Sequence, residues 1–173
     1  IYPNGIKSNS YNFGSLDKHM EGKFRDNHFN GVATVVEALF KNIAPDKAYF
    51  GEKDFQQFQI IKLLVEQKKI KTKLVLCPII RGKDGLALSS RNDHLNSIQK
   101  KLATSIYFTL KKIKTIYNHY DVKELEKIFT YKIEESKKLK VEYFCIAPEN
   151  DLIPVKKIKN NKNFRIFVAV YVG

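Results

Sequence analysis

Apolar residues recur along this chain with two different periods, and the alternation between them predicts its elements. The first thirty residues are polar and rich in turn formers, with Pro3-Asn4-Gly5 and the stretch 27–31 as loop signals. A helical period then sets in: Val32, Val35, Val36, Leu39, Phe40 and Ile43 fall on one face, and Pro45 ends it. The run 47–50 is short and apolar, as a buried strand is, and Gly51 punctuates it. A second helix is expected from 54 to about 68, with Phe55, Phe58, Ile61, Leu64 and Val65 inward, followed by a second buried strand over 73–79. Helix, strand, helix, strand, with strands that are continuously apolar, predicts an α/β fold around a parallel sheet.

The pattern changes after a loop over 81–94. Asn96 with Gln99 spells a capping box ahead of a stripe of Ile98, Leu102, Ile106, Leu110 and Ile113. Asp121 with Glu124 repeats it ahead of Val122, Leu125, Ile128, Phe129 and Ile133. Strands are expected over 141–147 and 164–172, joined through a polar tract at 156–163. Two helices followed by strands predict a small α+β unit, so the chain divides into 1–92 and 93–173. There are no internal repeats.

Composition changes this picture little. At 43% hydrophobic the 173 residues can build a core. The formal charge of +13, from 31 Lys and Arg against 18 Asp and Glu, invites an anionic partner. The basic residues are mostly Lys and are scattered, and no aromatic residues interleave a basic stripe, so nucleic acid is not expected as a partner. Cys77 and Cys145 belong to no metal-ligand spacing and sit in apolar stretches, as small buried thiols of a reducing, cytoplasmic compartment do. The longest apolar run, 74–80, is far short of the roughly 20 residues of a membrane span, so no membrane partner is expected. Ile1 is not an initiator Met, and the chain stops within an apparent strand; it reads as a portion of something longer.

Two segments suit chemistry. Tyr49-Phe50-Gly51-Glu52-Lys53-Asp54-Phe55-Gln56-Gln57 is a strand end, a glycine, a charged triplet and a helix start. Open α/β sheets bind ligands beyond the carboxyl ends of their strands, where a helix N-terminus favours phosphate. Gly51 lets a nucleotide approach the backbone, Lys53 can reach a phosphate, Asp54 can accept from ribose hydroxyls, and Gln57 offers a donor and an acceptor. Asp54 and Gln57 equally fit a D-x-x-Q capping box that needs no ligand, and spacing alone favours the cap. The second segment, Asp84-Gly85-Leu86-Ala87-Leu88-Ser89-Ser90-Arg91-Asn92, follows the second strand and is expected on the same sheet edge. Two hydroxyls and a guanidinium in a row suit a polyphosphate, and a surface turn with a helix cap is the simpler reading of the segment by itself. His28, in the polar stretch 25–31, can bind a carboxylate or phosphate, or be merely exposed. His19, His94 and His119 have no evident partners, and Glu134 and Glu135, adjacent on a helix, face apart and make a poor acid–base pair.

Taken together these segments resemble the pantothenate synthetase family. The 49–57 segment is similar to the family's signature, and Cys77-Pro78-Ile79-Ile80-Arg81 with 84–92 resembles its next two blocks in order and spacing. Ile1-Tyr2-Pro3-Asn4-Gly5, 25–32 and Leu152-Ile153-Pro154-Val155 resemble further family segments. The resemblance implies part of a Rossmann-like nucleotidyltransferase domain followed by a small C-terminal domain, in a homodimeric enzyme of coenzyme A precursor synthesis. It implies that pantoate attacks the α-phosphorus of ATP, with Mg²⁺, to give pantoyl adenylate and pyrophosphate, and that β-alanine then displaces AMP. By the same resemblance Gly51, Glu52, Lys53 and Asp54 bind ATP, Ile80 and Leu88 flank adenine, and Ser89, Ser90 and Arg91 hold the β- and γ-phosphates. Gln57 binds pantoate, and His28 completes the pantoate or β-alanine side. Lys53, Ser89, Ser90 and Arg91 are the implied catalytic residues, and no protein-held metal is implied.

The sequence departs from the family at Asp26-Asn27, where Pro-Gly is usual, and at Asn30. It contains neither the family's Met-Gly and His-x-Gly-His pattern nor its first pantoate-contacting Gln, so the chain by itself is expected to be inactive. Two other readings stay open: a different nucleotidyltransferase of the superfamily, and a non-enzymatic basic binding or assembly module.

Overall fold

A computed structural model describes residues 8–158 and 163–173. The Pro3-Asn4-Gly5 signal and residues 159–162 of the 156–163 tract lie outside them. The chain separates into two compact units, Ile1–Ile79 and Ile80–Gly173, which places the 81–94 loop with the second unit, whereas a division at 92 groups it with the first.

In the first unit a one-turn helix α1 (Glu21–Phe24) precedes α2 (His28–Ile43), strand β1 (Lys47–Gly51), a 3₁₀ turn (Glu52–Asp54), α3 (Phe55–Gln67) and strand β2 (Lys73–Cys77). β1 and β2 pair in parallel, Lys47 opposite Lys73 through Gly51 opposite Cys77, with α3 as the crossover. The α/β class and the parallel pairing are those expected from the alternation of elements. Phe50 meets Phe58 of α3 with ring centroids 6.3 Å apart. Phe29 and Ala33 of α2 pack with Ile60 and Leu64 of α3, and Phe13 from the preceding loop completes the cluster.

Three expectations about burial are corrected. The strands are not buried on both faces: β1 alternates exposed and half-buried residues, and Tyr49 is 65% exposed, because among the described residues the sheet has two strands and no third strand covers it. The buried face of α2 is rotated from the predicted one. Val35 and Ile43 are exposed, while Thr34 and Glu37 are buried beside Phe29, Ala33 and Phe40. The cause is the loop ahead of α1, which lies on α2 and is satisfied by its polar residues. Thr34 Oγ1 accepts from Asn9 N at 2.9 Å, Asn30 Oδ1 from Tyr11 N at 3.0 Å, and Glu37 from the Tyr11 hydroxyl at 2.6 Å. Such a loop carries backbone groups that no ladder pairs, so side chains must supply partners. Finally, Cys77 and Cys145 are half-buried, not fully buried; burial nonetheless pushes the Cys145 thiol up to about 12.

Gln56 does for the next stretch of loop what Glu37 does for Tyr11. Buried at the start of α3, it accepts from Glu21 N at 3.1 Å and donates to the carbonyls of Leu16 and His19, each at 2.8 Å.

The second unit holds a 3₁₀ turn (Ser90–His94), α4 (Ser97–Ile116), a 3₁₀ turn (Tyr117–His119), α5 (Val122–Glu134) and the antiparallel strands β3 (Leu139–Pro148) and β4 (Phe164–Val172). Both predicted capping boxes form, each with its reciprocal pair of bonds at 2.8–2.9 Å. The core joins Ile113 of α4, Val122, Leu125, Phe129 and Ile133 of α5, and Leu139, Phe144 and Ile146 of β3. Ile98, expected inward, is 61% exposed in the first turn of α4. Glu134 accepts from Val141 N while Glu135 pairs with Lys132, so the two carboxylates face apart as read. Among the described residues no helix is long and apolar enough to cross a membrane.

The first unit yields two tests of stability. Asn27 has φ +58, the left-handed region that costs an L-residue roughly 1–2 kcal/mol and that Asn and Gly tolerate best. Asn30 also donates to its side chain at 2.7 Å. Asn27→Gly should leave the unfolding midpoint in urea nearly unchanged, and Asn27→Ala should lower stability by about 1–2 kcal/mol.

Glu37 is the second. Burial by itself raises its carboxyl, but hydrogen bonds from Lys41 at 2.7 Å and from Tyr11, with the charges of Lys41 and Lys68, outweigh burial and hold it below the usual carboxylate range. A depressed folded value means stability that is present above the unfolded carboxyl's pKa of about 4.3 and is lost as pH falls through the folded value. Glu37→Gln should cost about 1–2 kcal/mol at neutral pH. In urea titrations its stability should converge on that of the parent chain only as pH falls below the usual carboxylate range.

Candidate functional site

The candidate residues fall in both compact units, and each group is described in its own unit. In the first, Gly51 ends β1 beside Cys77, the last residue of β2, so it stands on the carboxyl edge of the parallel pair. Its φ of −74° is ordinary extended backbone, and a methyl added to it meets no atom within 4 Å. Neither backbone geometry nor packing within the chain demands a glycine there.

Glu52, Lys53 and Asp54 form the 3₁₀ turn that carries the chain from the strand into α3. The D-x-x-Q cap favoured by spacing does not form, since Asp54 at the N-cap of α3 makes no side-chain capping bond. Its φ of −102° and ψ of 52° lie outside the extended geometry that aims an N-cap side chain at the third amide of the helix. The carboxylate instead accepts from Lys53 Nζ at 3.2 Å, in a pair whose side chains are 37% and 57% exposed. Exposed pairs are worth about 0–1 kcal/mol, so both groups are available to a ligand at small cost. Gln57 is half-buried in the first turn of α3. His28 is not a loop residue: it opens α2, half-buried, directly after the left-handed Asn27 and with its ring tilted against Phe29 at 5.0 Å.

In the second unit the segment from Ile80 forms a small hairpin. Arg81 bridges Ala87, Leu88 N donates to Ile80 O at 2.9 Å, Gly82 N to Leu86 O at 2.9 Å, and Gly85 N to Gly82 O at 2.9 Å. Ile80 and Leu88, paired across it, are 69% and 60% exposed. The next residues turn into the 3₁₀ segment, whose N-cap is Ser89: its Oγ accepts from Arg91 N at 3.3 Å. The simpler reading of this segment, a turn with a cap, is therefore what its serine does here. Ser90 and Arg91 are exposed. Asn92 Nδ2 donates to Ala87 O at 2.9 Å and ties the turn to the hairpin. Leu88, Ser89, Ser90 and Asn92 line a cleft of about 830 Å³ together with Lys83, Asp84 and Lys100.

The sequence marked neither Gln56, the support of the loop over 16–21, nor Tyr107, whose ring lies 4.2 Å from the Arg81 guanidinium of the hairpin. A polar residue on a helix carries no sign that it will be buried, and Tyr107 lies in α4, beyond the segments that suggested chemistry. Among the described residues no group of three or more His, Cys, Asp or Glu is placed to hold a metal ion.

Known proteins resemble the chain along its whole length. The profile of the pantoate-beta-alanine ligase family matches residues 1–173. The pantothenate synthetase of Flavobacterium psychrophilum is 41% identical over 173 residues, which are 100% of this chain and 61% of that protein. That of Christiangramia forsetii is 42% identical over 171 residues, 99% of this chain and 60% of that one. Among solved structures, pantothenate synthetase from Thermus thermophilus superposes with a TM-score of 0.84 at 29% identity, covering 99% of this chain and 65% of that one. Pantoate-beta-alanine ligase from Francisella tularensis, complexed with beta-gamma ATP and beta-alanine, superposes with a TM-score of 0.76 at 35% identity, covering 99% and 57%. The chain thus spans about three fifths of the length of the relatives it matches. With its strand-end glycine, its lysine-bearing turn and its Ser-Ser-Arg segment all inside the matched span, the chain belongs to the pantoate-beta-alanine ligase family.

Proposed function

We propose that this chain is part of an ATP-dependent ligase that joins pantoate to β-alanine through pantoyl adenylate. The observation that carries the reading is the family match along all 173 residues. In the first step a pantoate carboxylate oxygen bonds to the α-phosphorus of ATP and pyrophosphate leaves. In the second the β-alanine amine bonds to the activated carbonyl carbon, AMP leaves, and the amine gives up a proton. ATP enters as its magnesium complex. The ion is held by phosphate oxygens and water, in keeping with a cation that keeps most of its hydration and rarely takes a cage made wholly of protein.

The roles follow from what each group presents. Gly51 leaves open space where a side chain would stand, which supports close approach of the ribose and phosphates to the backbone. Lys53 and Asp54 exchange a weak mutual pair for the ligand, Lys53 toward phosphate and Asp54 toward ribose hydroxyls, with Glu52 in the same turn. Ile80 and Leu88, an exposed aliphatic pair, suit the faces of adenine. Ser90 and Arg91, exposed, offer a hydroxyl and a forked donor to the β- and γ-phosphates, while Ser89 shapes the turn and keeps its hydroxyl hydrogen to donate. Donors fixed in place before pyrophosphate leaves stabilise the charge it develops. Gln57 binds pantoate, and His28 completes the side on which pantoate or β-alanine lies. In this reading residues 1–92 form the ligand-binding part and 93–173 the small C-terminal domain of a cytoplasmic homodimer. The complex of the Francisella tularensis relative with beta-gamma ATP and beta-alanine supports both substrates.

The tests use a chain of the relatives' full length that carries these residues. Lys53→Ala and Arg91→Ala should each slow pantoate-dependent pyrophosphate release by about 100-fold or more. Unchanged rates in both would sink the site assignment. Gly51→Ala should fold normally by circular dichroism and raise the KM for ATP by about tenfold, the scale of a methyl forced into a filled site. An unaltered KM would remove the glycine from the site. AMP release that does not depend on β-alanine would favour another enzyme of the superfamily. The isolated 173 residues, with no His-x-Gly-His in their sequence, should release neither product above background; full turnover by them would overturn that expectation.

A further inference from the structure

The hairpin that leads into Ser89, Ser90 and Arg91 has little of its own to hold it. Two short paired strands are marginal in water, and here the aliphatic pair Ile80 and Leu88 is exposed and contributes almost no burial. Beyond its own hydrogen bonds, it packs on an aromatic ring. Tyr107, in the middle of α4, lies under the Arg81 guanidinium, which stands 4.2 Å from the ring centroid. The same guanidinium donates to Gly85 O at 3.2 Å, reaching across the hairpin from one strand to its turn. Gly85 is buried against the ring, so close that a methyl at its Cα would stand 2.3 Å from Tyr107 Cδ1, and its φ of +84° is one that only glycine takes freely. Lys111, one helical turn beyond Tyr107, puts its ammonium 5.8 Å from the same ring.

The mechanical line runs onward without a gap. The hairpin is tied to the Ser89–Arg91 turn by the bond from Asn92 Nδ2 to Ala87 O. α4, in turn, is seated in the core of the second unit by Ile113. The ring is therefore where the phosphate-binding turn of the functional reading above is referenced to a rigid element.

We infer that Tyr107 is a positioning residue: its ring, clasped by Arg81 and closed over by Gly85, sets where Ser90 and Arg91 stand. The role rests on that functional reading for its consequence in catalysis, but the anchor itself is a property of this chain. The contacts use the face and edge of the ring and not the hydroxyl, so phenylalanine should serve and leucine, smaller and with no π face, should not.

The anchor can be read in the 173-residue chain by hydrogen exchange at the amides of Gly82, Gly85 and Leu88, each bonded within the hairpin. Tyr107→Leu should speed their exchange about tenfold, as loss of a half-buried cation–π contact does, and Tyr107→Phe by less than about twofold. Amides of α5 and β3 should keep their protection in both variants and so report that the unit is folded. Equal protection of the hairpin in Tyr107→Leu and the parent chain would overturn the anchor. If Tyr107→Leu unfolds the unit, Arg81→Met, which leaves α4 intact, must give the same selective loss.

In a chain of the relatives' full length, Tyr107→Leu should lower kcat for pyrophosphate release about tenfold with little change in the KM for pantoate, and Tyr107→Phe should restore it. A looser hairpin with unchanged kcat would overturn the positioning role. A parent enzyme that makes no pantothenate would overturn the functional reading, and the role in catalysis with it, while exchange would still show whether the anchor exists.

Discussion

The parallel pairing of β1 with β2 is the constraint from which the first unit takes its form. Two strands that run side by side in the same direction need a crossover, and α3 is that crossover. Once α3 lies on the pair, Phe50 faces Phe58, α2 packs on α3 through Phe29, Ala33, Ile60 and Leu64, and Phe13 closes the cluster. A slip of one residue within β1 would turn Phe50 away from Phe58 and Tyr49 toward it, exchanging every contact of the strand. The register therefore fixes two things together: which aromatic is buried, and that the last residue before the helix is Gly51. The packing of the unit and the geometry of the candidate site are consequences of one ladder of backbone bonds.

A second layer of order comes from polar side chains that satisfy a loop. Asn30, Thr34 and Glu37 are spaced to share one stripe of α2, and all three bond to residues 9–11. Gln56 does the same for 16–21 from α3. These residues give the loop the partners that a third strand or water would otherwise supply. They also explain why α2 turns polar residues inward and leaves Val35 and Ile43 outside.

Much of this architecture was legible in the amino-acid sequence. Both capping boxes are local: an Asn or Asp and a Gln or Glu three residues on create their bonds with no help from the rest of the fold. β4 is likewise a plain apolar run, and its observed span is the expected one. What was not legible depends on partners distant in sequence. No periodicity rule makes Glu37 a buried residue, because what buries it is Tyr11 and the loop around it. Nothing in Gly85 reveals Tyr107, far along the chain in another element, although the Asp84-Gly85 pair announces a turn. The site shows the same division. Its glycine, its lysine and its Ser-Ser-Arg run are visible as residues, but whether each serves the fold or a ligand is a question about neighbours.

That question receives opposite answers at the two segments, and the contrast is instructive. Asp54 had a local case for being a cap, and it caps nothing; its charge lies on an exposed lysine in a pair too weak to hold either group. Gly51 beside it is a glycine that the chain's own backbone and packing do not need. Ser89, for which a cap was likewise the simpler reading, is one. A residue whose local role goes unfilled, or whose smallness has no internal cause, is open to a role outside the described chain. On the functional reading proposed above, the turn after β1 is the one left open to a ligand. The Ser-Ser-Arg segment is shared: Ser89 and Asn92 build the turn, and Ser90 and Arg91 are what the turn presents. A turn whose outer residues stand in solvent can place them only as well as its base is held, and that is why the aromatic clasp beneath the hairpin matters as much as the donors it carries.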